Sequence, residues 1–265
     1  MRIAALCLAL SAVGCTHAHN YLDPQAPLYE GTLAAPPESL EAVRVVSFNI
    51  EYALRVPAAI DALRAQPALR DADLLLLQEM DAPGTESIAR SLGMNYVYCP
   101  SSISPKYHRD VGTAVLSRWP IEERWKVRLP HLARATRHAR SVVGVRVRLG
   151  SRSVRVYSVH FGTMIGLSPR QRREQLAAVV EDARGSVEPV IIGGDFNSKG
   201  LAERLAGEGF DWPTRNVGRT IALFSFDHIL TRGLARSDAS TVGVAREVKG
   251  VSDHFPVWAL LRPAP

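Results

Sequence analysis

Four short segments spread over the whole chain carry acidic, amide or histidine side chains that could act together. They are 47–51 (Ser-Phe-Asn-Ile-Glu), 77–79 (Leu-Gln-Glu), 193–197 (Gly-Gly-Asp-Phe-Asn) and 252–256 (Ser-Asp-His-Phe-Pro). Carboxylates and amides suit a hard divalent cation, and a histidine titrates in the range needed to take a proton from water. We therefore expect one site that combines a divalent cation with an activated water.

Each of these segments follows or precedes an apolar run that is typical of a buried β-strand. Polar groups at strand ends can converge on one cleft, which is where α/β enzymes hold their reacting groups. The expected strands are 43–48, 73–79, 96–99, 112–116, 142–149, 154–160, 189–193, 226–230 and 256–261.

Helical signals alternate with these strands. Apolar residues at helical spacing predict a helix over 56–63, and a second helix would be capped by Thr85 and closed by Gly93. Residues 168–171 (Ser-Pro-Arg-Gln) form a capping-box start for a third helix. Because no linker separates strands from helices, we expect one α/β domain over 43–262, with two packed mixed sheets and helices outside.

These motifs, in this order, resemble those of the endonuclease/exonuclease/phosphatase family, whose fold is that of DNase I, abasic-site endonucleases, neutral sphingomyelinases and inositol polyphosphate 5-phosphatases. The resemblance covers nearly all of residues 43–261. It implies a four-layered α/β sandwich, in which two packed mixed β-sheets are flanked by helices. It also implies a divalent cation, Mg²⁺ with Mn²⁺ as the alternative, and hydrolysis of a phosphoester.

The resemblance also implies roles for individual residues. The implied metal ligands are Glu79, Asn49, Glu51 and Asp253. The implied catalytic residues are His254, Asp227, His160, Asp195 and Asn197. In this scheme His254 takes the proton of the attacking water, and Asp227 fixes its tautomer. His160, if protonated, and Asn197 would contact the phosphate, while His228 stands where the family often has Tyr and is expected to be a structural neighbour.

A basic stretch over residues 124–140 holds five Arg, one Lys and two His. It would either bind phosphate or form a solvated loop, and the second interpretation is the more ordinary one. Arg170 and Arg173, near the start of the third helix, are similar candidates, and we assign Arg170 to substrate binding together with Asn197 and His160.

The net charge of +6 and a pI near 9.5 favour an anionic partner such as nucleic acid, a phospholipid headgroup or a phosphorylated small molecule. Only 4 of the 32 basic residues are Lys, so a general preference for Arg could also produce this charge. Charge alone does not identify the partner.

The N-terminus is typical of an export signal. Arg2 precedes an apolar run over 3–10, which is too short to span a bilayer, and Gly14-Cys15 resembles a bacterial lipobox. We expect a signal peptide over 1–14, lipid on Cys15, a flexible tether over 15–42 and an outer-membrane location. Ordinary signal cleavage, which would give a soluble secreted protein, is the alternative. The mature chain would keep only Cys99 besides Cys15, so no internal disulfide is expected.

Four functions remain open after this reasoning. An exported, monomeric phosphodiesterase acting on DNA fits both the charge and the export signal. A phospholipid phosphodiesterase fits a membrane tether, although it would expect an exposed aromatic hairpin that the sequence does not make evident. A phosphomonoesterase is the third possibility. A non-catalytic surface binding module is the fourth, and the intact set of candidate residues argues against it.

Overall fold

The computed structural model describes residues 18–37, 41–236, 238–248 and 250–263. The expected signal peptide over 1–14 and the lipidation site Cys15 lie outside these residues. The described residues form four α-helices, α1 (Val56–Ala65), α2 (Ala82–Leu92), α3 (Pro169–Arg184) and α4 (Lys199–Gly207). They also form fourteen strands, β1 (His19–Asn20), β2 (Tyr29–Gly31), β3 (Val43–Asn49), β4 (Leu74–Met80), β5 (Asn95–Ile103), β6 (Asp110–Ser117), β7 (Ile121–Arg128), β8 (Ser141–Leu149), β9 (Arg152–His160), β10 (Val190–Asp195), β11 (Asp227–Arg232), β12 (Leu234–Arg236), β13 (Val242–Val244) and β14 (Val257–Pro263).

The strands belong to two mixed sheets. In the nine-stranded sheet the order is β1-β5-β6-β4-β3-β14-β12, with β2 paired to β5 and β13 paired to β14. In the five-stranded sheet the order is β11-β10-β9-β8-β7. Each sheet has one parallel pair, β3 with β4 and β9 with β10, among antiparallel neighbours. The prediction of two mixed sheets is confirmed.

Side-chain alternation along the strands separates three apolar layers. Val45 and Leu76 point into the layer between the two sheets, whereas Val46 and Leu77 point to the opposite face and pack with α1 and α2. Ile192 belongs to the third layer, where the small sheet packs on α3 and α4. Because successive side chains in a strand point to opposite faces, a continuous apolar run is what a strand covered on both sides requires. The result is the expected four-layered α/β sandwich.

The helix starts show where local signals succeed and fail. Helix α3 begins at the predicted capping box, in which Ser168 and Gln171 exchange side-chain-to-backbone hydrogen bonds. The predicted start of α2 was wrong, because Asp81 and not Thr85 caps it by accepting a hydrogen bond from the N–H of Gly84, whereas the predicted end at Gly93 is confirmed. Thr85 lies in the first turn and donates its hydroxyl to the carbonyl of Asp81.

Part of the segment expected to be a tether is instead built into the large sheet. Strands β1 and β2 both pair with β5 in antiparallel fashion. The buried ammonium of Lys126 donates to the carbonyls of Tyr21 and Ala26, at 2.8 Å each. Strand pairing and these charge-assisted bonds give the segment a fixed place on the domain. None of the helices in the described ranges is long and apolar enough to cross a membrane.

Candidate active site

Three of the predicted residues lie side by side because of the register of the small sheet. Asp195, at the end of β10, is paired with His160 at the end of β9 and with Asp227 at the start of β11. Each of the three lies two or four residues along its strand from a residue that faces the layer between the sheets, so its side chain points to the same face and enters the open end of that layer. All three are buried, with at most 3% of the side chain exposed.

The large sheet supplies Asn49 and Glu79 from the other side of the same opening. Asn49 ends β3, and its amide nitrogen lies 3.3 Å from Oδ2 of Asp195. Glu79 occupies an irregularity between Gln78 and Met80, with φ of +56°, a region that a non-glycine residue seldom adopts. Such a bulge changes the direction of a side chain. Here the bulge brings Oε1 of Glu79 to 3.8 Å from Nε2 of His160.

His254 and Asp227 form a buried hydrogen-bonded pair. Nδ1 of His254 donates to Oδ2 of Asp227 at 2.8 Å, and the hydroxyl of Thr220 donates to the same oxygen at 2.6 Å. Burial alone would lower the pKa of His254, but the Asp227 charge and this hydrogen bond outweigh it and raise the pKa to about 10. Nε2 of His254 faces Oδ2 of Asp195 at 3.8 Å.

His160 is held in a single tautomer by Arg140. The guanidinium of Arg140 donates to Nδ1 of His160 at 2.8 Å, and a guanidinium cannot accept, so the ring proton is on Nε2. This Nε2–H faces Oδ2 of Asp195 at 3.5 Å. Burial and then the positive charge of Arg140 hold the pKa of His160 well below its ordinary value. His160 is therefore a neutral N–H donor, and it needs no second proton to contact a phosphate oxygen.

Asp195 is the point at which the contacts meet. The backbone N–H of Asn197 donates to its Oδ1 at 2.7 Å, and the Asn197 side-chain amide lies 3.3 Å from its Oδ2. Asn197 reaches this position with φ of +50° and also donates to the carbonyl of Phe161. Burial, followed by the charge of Asp227, raises the pKa of Asp195 to about 7.

The site contains more buried negative charge than the protein itself offsets. Asp195, Asp227 and Glu79 are nearby carboxylates, and burial is the largest cause that raises the pKa of Glu79. Ligand atoms of Asp195, Asp227 and His254 lie within 4.8 Å of one another, but Asp227 and His254 already bond to each other. Oε1 of Glu79 and Oδ2 of Asp195 make no hydrogen bond shorter than 3.3 Å, and Oδ1 of Asp227 is buried without a hydrogen-bond partner among the described residues. These three oxygens are therefore the candidates to hold a cation. This donor set fits a hard divalent cation such as Mg²⁺ better than a soft metal.

The structure does not bring all predicted residues into this cluster. The side chain of Glu51 turns toward Arg55, at 3.6 Å, and only its backbone N–H contacts Asn49. Asp253 is exposed at the edge of the cluster. Burial is the main cause of the raised pKa of Glu79, and the negative charge of Asp253 adds to it, whereas the charges of Arg140 and His254 act in the opposite direction. Arg170 has 82% of its side chain exposed and pairs with Glu174 on α3.

Sequence reasoning missed several residues that hold the site together. Arg140 was considered only as part of a basic stretch, yet it contacts His160. It directly precedes β8, and the antiparallel pairing of β8 with β9 was the signal that could have placed it near the end of β9. Thr220 supports Asp227, and the N–H of Tyr52 donates to Oε2 of Glu79 at 3.1 Å. Ser252 donates to the carbonyl of Asn49 and accepts from the N–H of His254.

The model of one protein family matches residues 46–254 of the chain, and its description is Endonuclease/Exonuclease/phosphatase family. The match begins before Asn49 and ends at His254, so it spans the whole cluster. Among curated proteins, no sequence matches this chain.

Solved structures with the same fold come from distant organisms. An endonuclease/exonuclease/phosphatase from Beutenbergia cavernae is 19% identical, with a TM-score of 0.66 over 84% of this chain and 72% of that chain. The human Nocturnin catalytic domain, solved with a bound sulfate anion, is 16% identical, with a TM-score of 0.64 over 90% and 97%. D. rerio TDP2, complexed with single strand DNA product, is 14% identical, with a TM-score of 0.62 over 84% and 100%. At such identities the likeness establishes the fold alone.

Proposed function

The chain belongs to the endonuclease/exonuclease/phosphatase family and is a phosphoric ester hydrolase, and from this premise we propose that it is an exported, Mg²⁺-dependent phosphodiesterase that cleaves nucleic-acid strands. The observation that best supports hydrolysis is the hydrogen-bonded pair of His254 and Asp227, which lies beside Asp195. Together with Glu79 and Asn49, these residues surround one small space at the open end of the sandwich.

The chemistry follows from the protonation states of this pair. Asp227 accepts the Nδ1 proton of His254, so Nε2 is the atom that can take a proton from water beside Asp195. Glu79 and Asp195 would hold a divalent cation, which would neutralise charge on the phosphoryl oxygens. The added positive charge in the cavity would also lower the pKa of His254 toward neutral pH. The Nε2–H of His160 is placed to donate to a phosphoryl oxygen, and it keeps this role across neutral pH.

A nucleic-acid substrate is supported by charge and by a relative. The chain carries a net charge of +6, and it is similar in fold to TDP2, which has been solved with a single strand DNA product. Phosphate backbones supply most of the attraction in nonspecific nucleic-acid binding. The export signal over 1–14 and lipidation at Cys15 rest on the sequence alone. A Cys15→Ala variant that remained in the membrane fraction would contradict the lipid anchor.

The deciding experiment compares the protein with its His254→Ala variant in Mg²⁺. Bis-p-nitrophenyl phosphate, plasmid DNA, single-stranded DNA and sphingomyelin are offered in parallel. Loss of the proton acceptor should lower turnover about 10²- to 10⁴-fold. The control is His19→Ala, which removes an exposed histidine on β1. Full activity in His254→Ala would contradict the assigned base, and turnover of sphingomyelin with inert DNA would contradict the nuclease.

One observation favours a phospholipid phosphodiesterase as the second candidate. Residues 221–224 form a tight turn whose tip exposes Leu223 by 81% and Phe224 by 52%. Ile221, in the same turn, bridges to His254 and so places this apolar tip beside the site. An exposed apolar hairpin was not evident in the sequence, and such a tip could contact a bilayer. If lipid is the substrate, Leu223→Ser should weaken binding to phosphatidylcholine–sphingomyelin vesicles, whereas Val187→Ser, at a fully exposed site on another loop, should not.

A further inference from the structure

A pocket of about 280 Å³ opens directly beside the catalytic cluster. It shares Tyr52 and Arg140 with that cluster, since Tyr52 contacts Glu79 and Arg140 contacts His160. The rest of its wall comes from Gln175 on α3 and from the two loops over 129–139 and 162–167. The volume suits one phosphorylated sugar unit better than a larger ligand.

The charge of this pocket is opposite to that of the cluster. Its lining contains Arg134, Arg140, His131 and His138 but no Asp or Glu. Of these side chains, His131 is paired with Glu174, which does not itself line the pocket. The guanidinium of Arg134 makes no ion pair or side-chain hydrogen bond within the described ranges. Nε2 of His138 is buried and likewise lacks a hydrogen-bond partner in the described part of the chain. Burial and then the charge of Arg140 lower the pKa of His138 to about 4, so this ring is neutral and the positive charge of the pocket comes from Arg134 and Arg140. Guanidinium donors in a pocket lined by no carboxylate favour an anionic ligand that can accept hydrogen bonds.

The loop that carries these groups is held in one conformation. The N–H of Arg134 donates to the carbonyl of Gly166, and the N–H of Ala18 donates to the carbonyl of Thr136. The side chain of Asn20 binds both the carbonyl of Arg137 and the N–H of Ala139. A pocket whose wall is already ordered loses less entropy when a ligand binds.

We propose that this pocket, defined by Arg134, Arg140 and His138, binds a second phosphate group of the substrate, next to the phosphoryl group that reacts. This inference rests on the proposed function, and it narrows the substrate to a nucleic-acid strand in which the scissile diester lies beside another phosphate. Ile165, which is 92% exposed, gives the pocket an apolar edge against which the sugar or base of that nucleotide can lie.

The test uses a thymidine dinucleotide and the same dinucleotide with a terminal phosphate at either end. One terminal phosphate should raise kcat/KM about tenfold, as expected when a charged hydrogen bond to phosphate is added. In Arg134→Gln this preference should fall about five- to tenfold, mainly through KM. The matched control is Arg137→Gln, since Arg137 lies on the same loop, is equally exposed and does not line the pocket. It should keep the preference.

The outcomes separate this inference from the function on which it rests. Hydrolysis of the unphosphorylated dinucleotide with no gain from either terminal phosphate would overturn the second-phosphate site alone. Equal losses of the preference for a terminal phosphate in Arg134→Gln and Arg137→Gln would also overturn the second-phosphate site. They would show that the preference comes from the positive charge of the loop in general and not from a contact in the pocket. If neither the dinucleotides nor single-stranded DNA is hydrolysed, the proposed function fails. Binding of thymidine 3′,5′-bisphosphate, measured by calorimetry, then tests the pocket, and affinity that is unchanged by Arg134→Gln would overturn it.

Discussion

Glu79 shows how one residue is placed at the cost of local strain. Its φ of +56° lies outside the range that most residues adopt, and its side chain, of which 13% is exposed, lies beside other carboxylates. Strain and buried charge of this kind persist where the surrounding structure requires them, and they are concentrated at functional sites. We therefore expect Glu79 to be the residue whose charge matters most for metal binding.

Glu79→Gln should raise the Mg²⁺ concentration for half-maximal activity about tenfold or more, because a neutral amide is a weaker ligand for a hard cation. Without metal the variant should be at least as stable as the unmodified protein, since burial disfavours the Glu79 carboxylate. Titration calorimetry with Mg²⁺ and thermal unfolding check both effects. Glu51→Gln is the matched control, and its Mg²⁺ requirement should hardly change because Glu51 pairs with Arg55. Unchanged metal dependence in Glu79→Gln would remove Glu79 from the site.

Asp227 controls the proton affinity of His254. Its charge and hydrogen bond outweigh the effect of burial and raise the pKa of His254 to about 10. Asp227→Asn keeps an oxygen that can accept the Nδ1 proton, but it removes the charge. The pKa of His254 must therefore fall. A rate that needs neutral His254 increases as pH rises through this pKa, so the acidic limb should move to lower pH.

We expect this shift in Asp227→Asn to be about one pH unit or more, with a maximal rate about 10²-fold lower because the imidazolium loses its partner. The pH dependence of kcat and the NMR titration of His254 measure the two effects. The shifted pKa of His254 also makes the stability of the folded protein depend on pH. The raised pKa of His254 stabilises the unmodified protein below about pH 6.5, and this contribution is lost as pH rises through about 10. An acidic limb that stays in place would show that His254 is not the proton acceptor.

At the scale of elements, the apolar runs predicted most strands because those strands are covered on both faces. Strand β7 was missed, since it is the edge of the small sheet and its charged residues face solvent in part. Strands β1 and β2 have only two and three residues, too few for any periodicity. The bulge at Glu79 is a local irregularity that the continuous apolar run does not indicate. The contact of Arg140 with His160 depends on the register of the β8–β9 hairpin, which the alternation of the two strands and the turn between them could have indicated.

Gly194 shows how closely the strands of the small sheet approach each other next to Asp195. Its φ is +149°, and a Cβ there would lie 1.9 Å from the carbonyl oxygen of Val159 on β9. Gly194→Ala should lower the free energy of unfolding by about 3 kcal/mol or more, because the two backbones must separate. Gly185→Ala is the control, since Gly185 has φ of −76° and open space around it. It should be neutral or stabilising by about 0.4–1 kcal/mol. Equal urea midpoints for the two variants would contradict this packing.

At the scale of the whole molecule, the N-terminal segment is a structural part of the domain and also a support for the site. It adds two strands to the edge of the large sheet, and Asn20 ties down the loop that leads to Arg140. The sequence suggested a tether because residues 15–42 show no helical or strand periodicity and contain four Pro, one Gly and one Asn. Irregular segments can still pack when their backbone finds a strand edge.

A protein that starts at Thr32 should therefore be less stable than one that starts at Ala18, by about 2–4 kcal/mol, because Lys126 loses two buried carbonyl partners. Its kcat/KM should fall as well, since the loop before Arg140 loses its hydrogen bonds to the side chain of Asn20. Asn20→Ala separates the two effects, because it keeps the strands and Lys126 but releases the loop. The free energy of unfolding of Asn20→Ala should fall by about 1 kcal/mol. Its kcat/KM should show much of the decrease expected for the protein that starts at Thr32. A tether would predict three proteins with identical unfolding curves and rates, so urea unfolding and steady-state kinetics on the three decide between these descriptions.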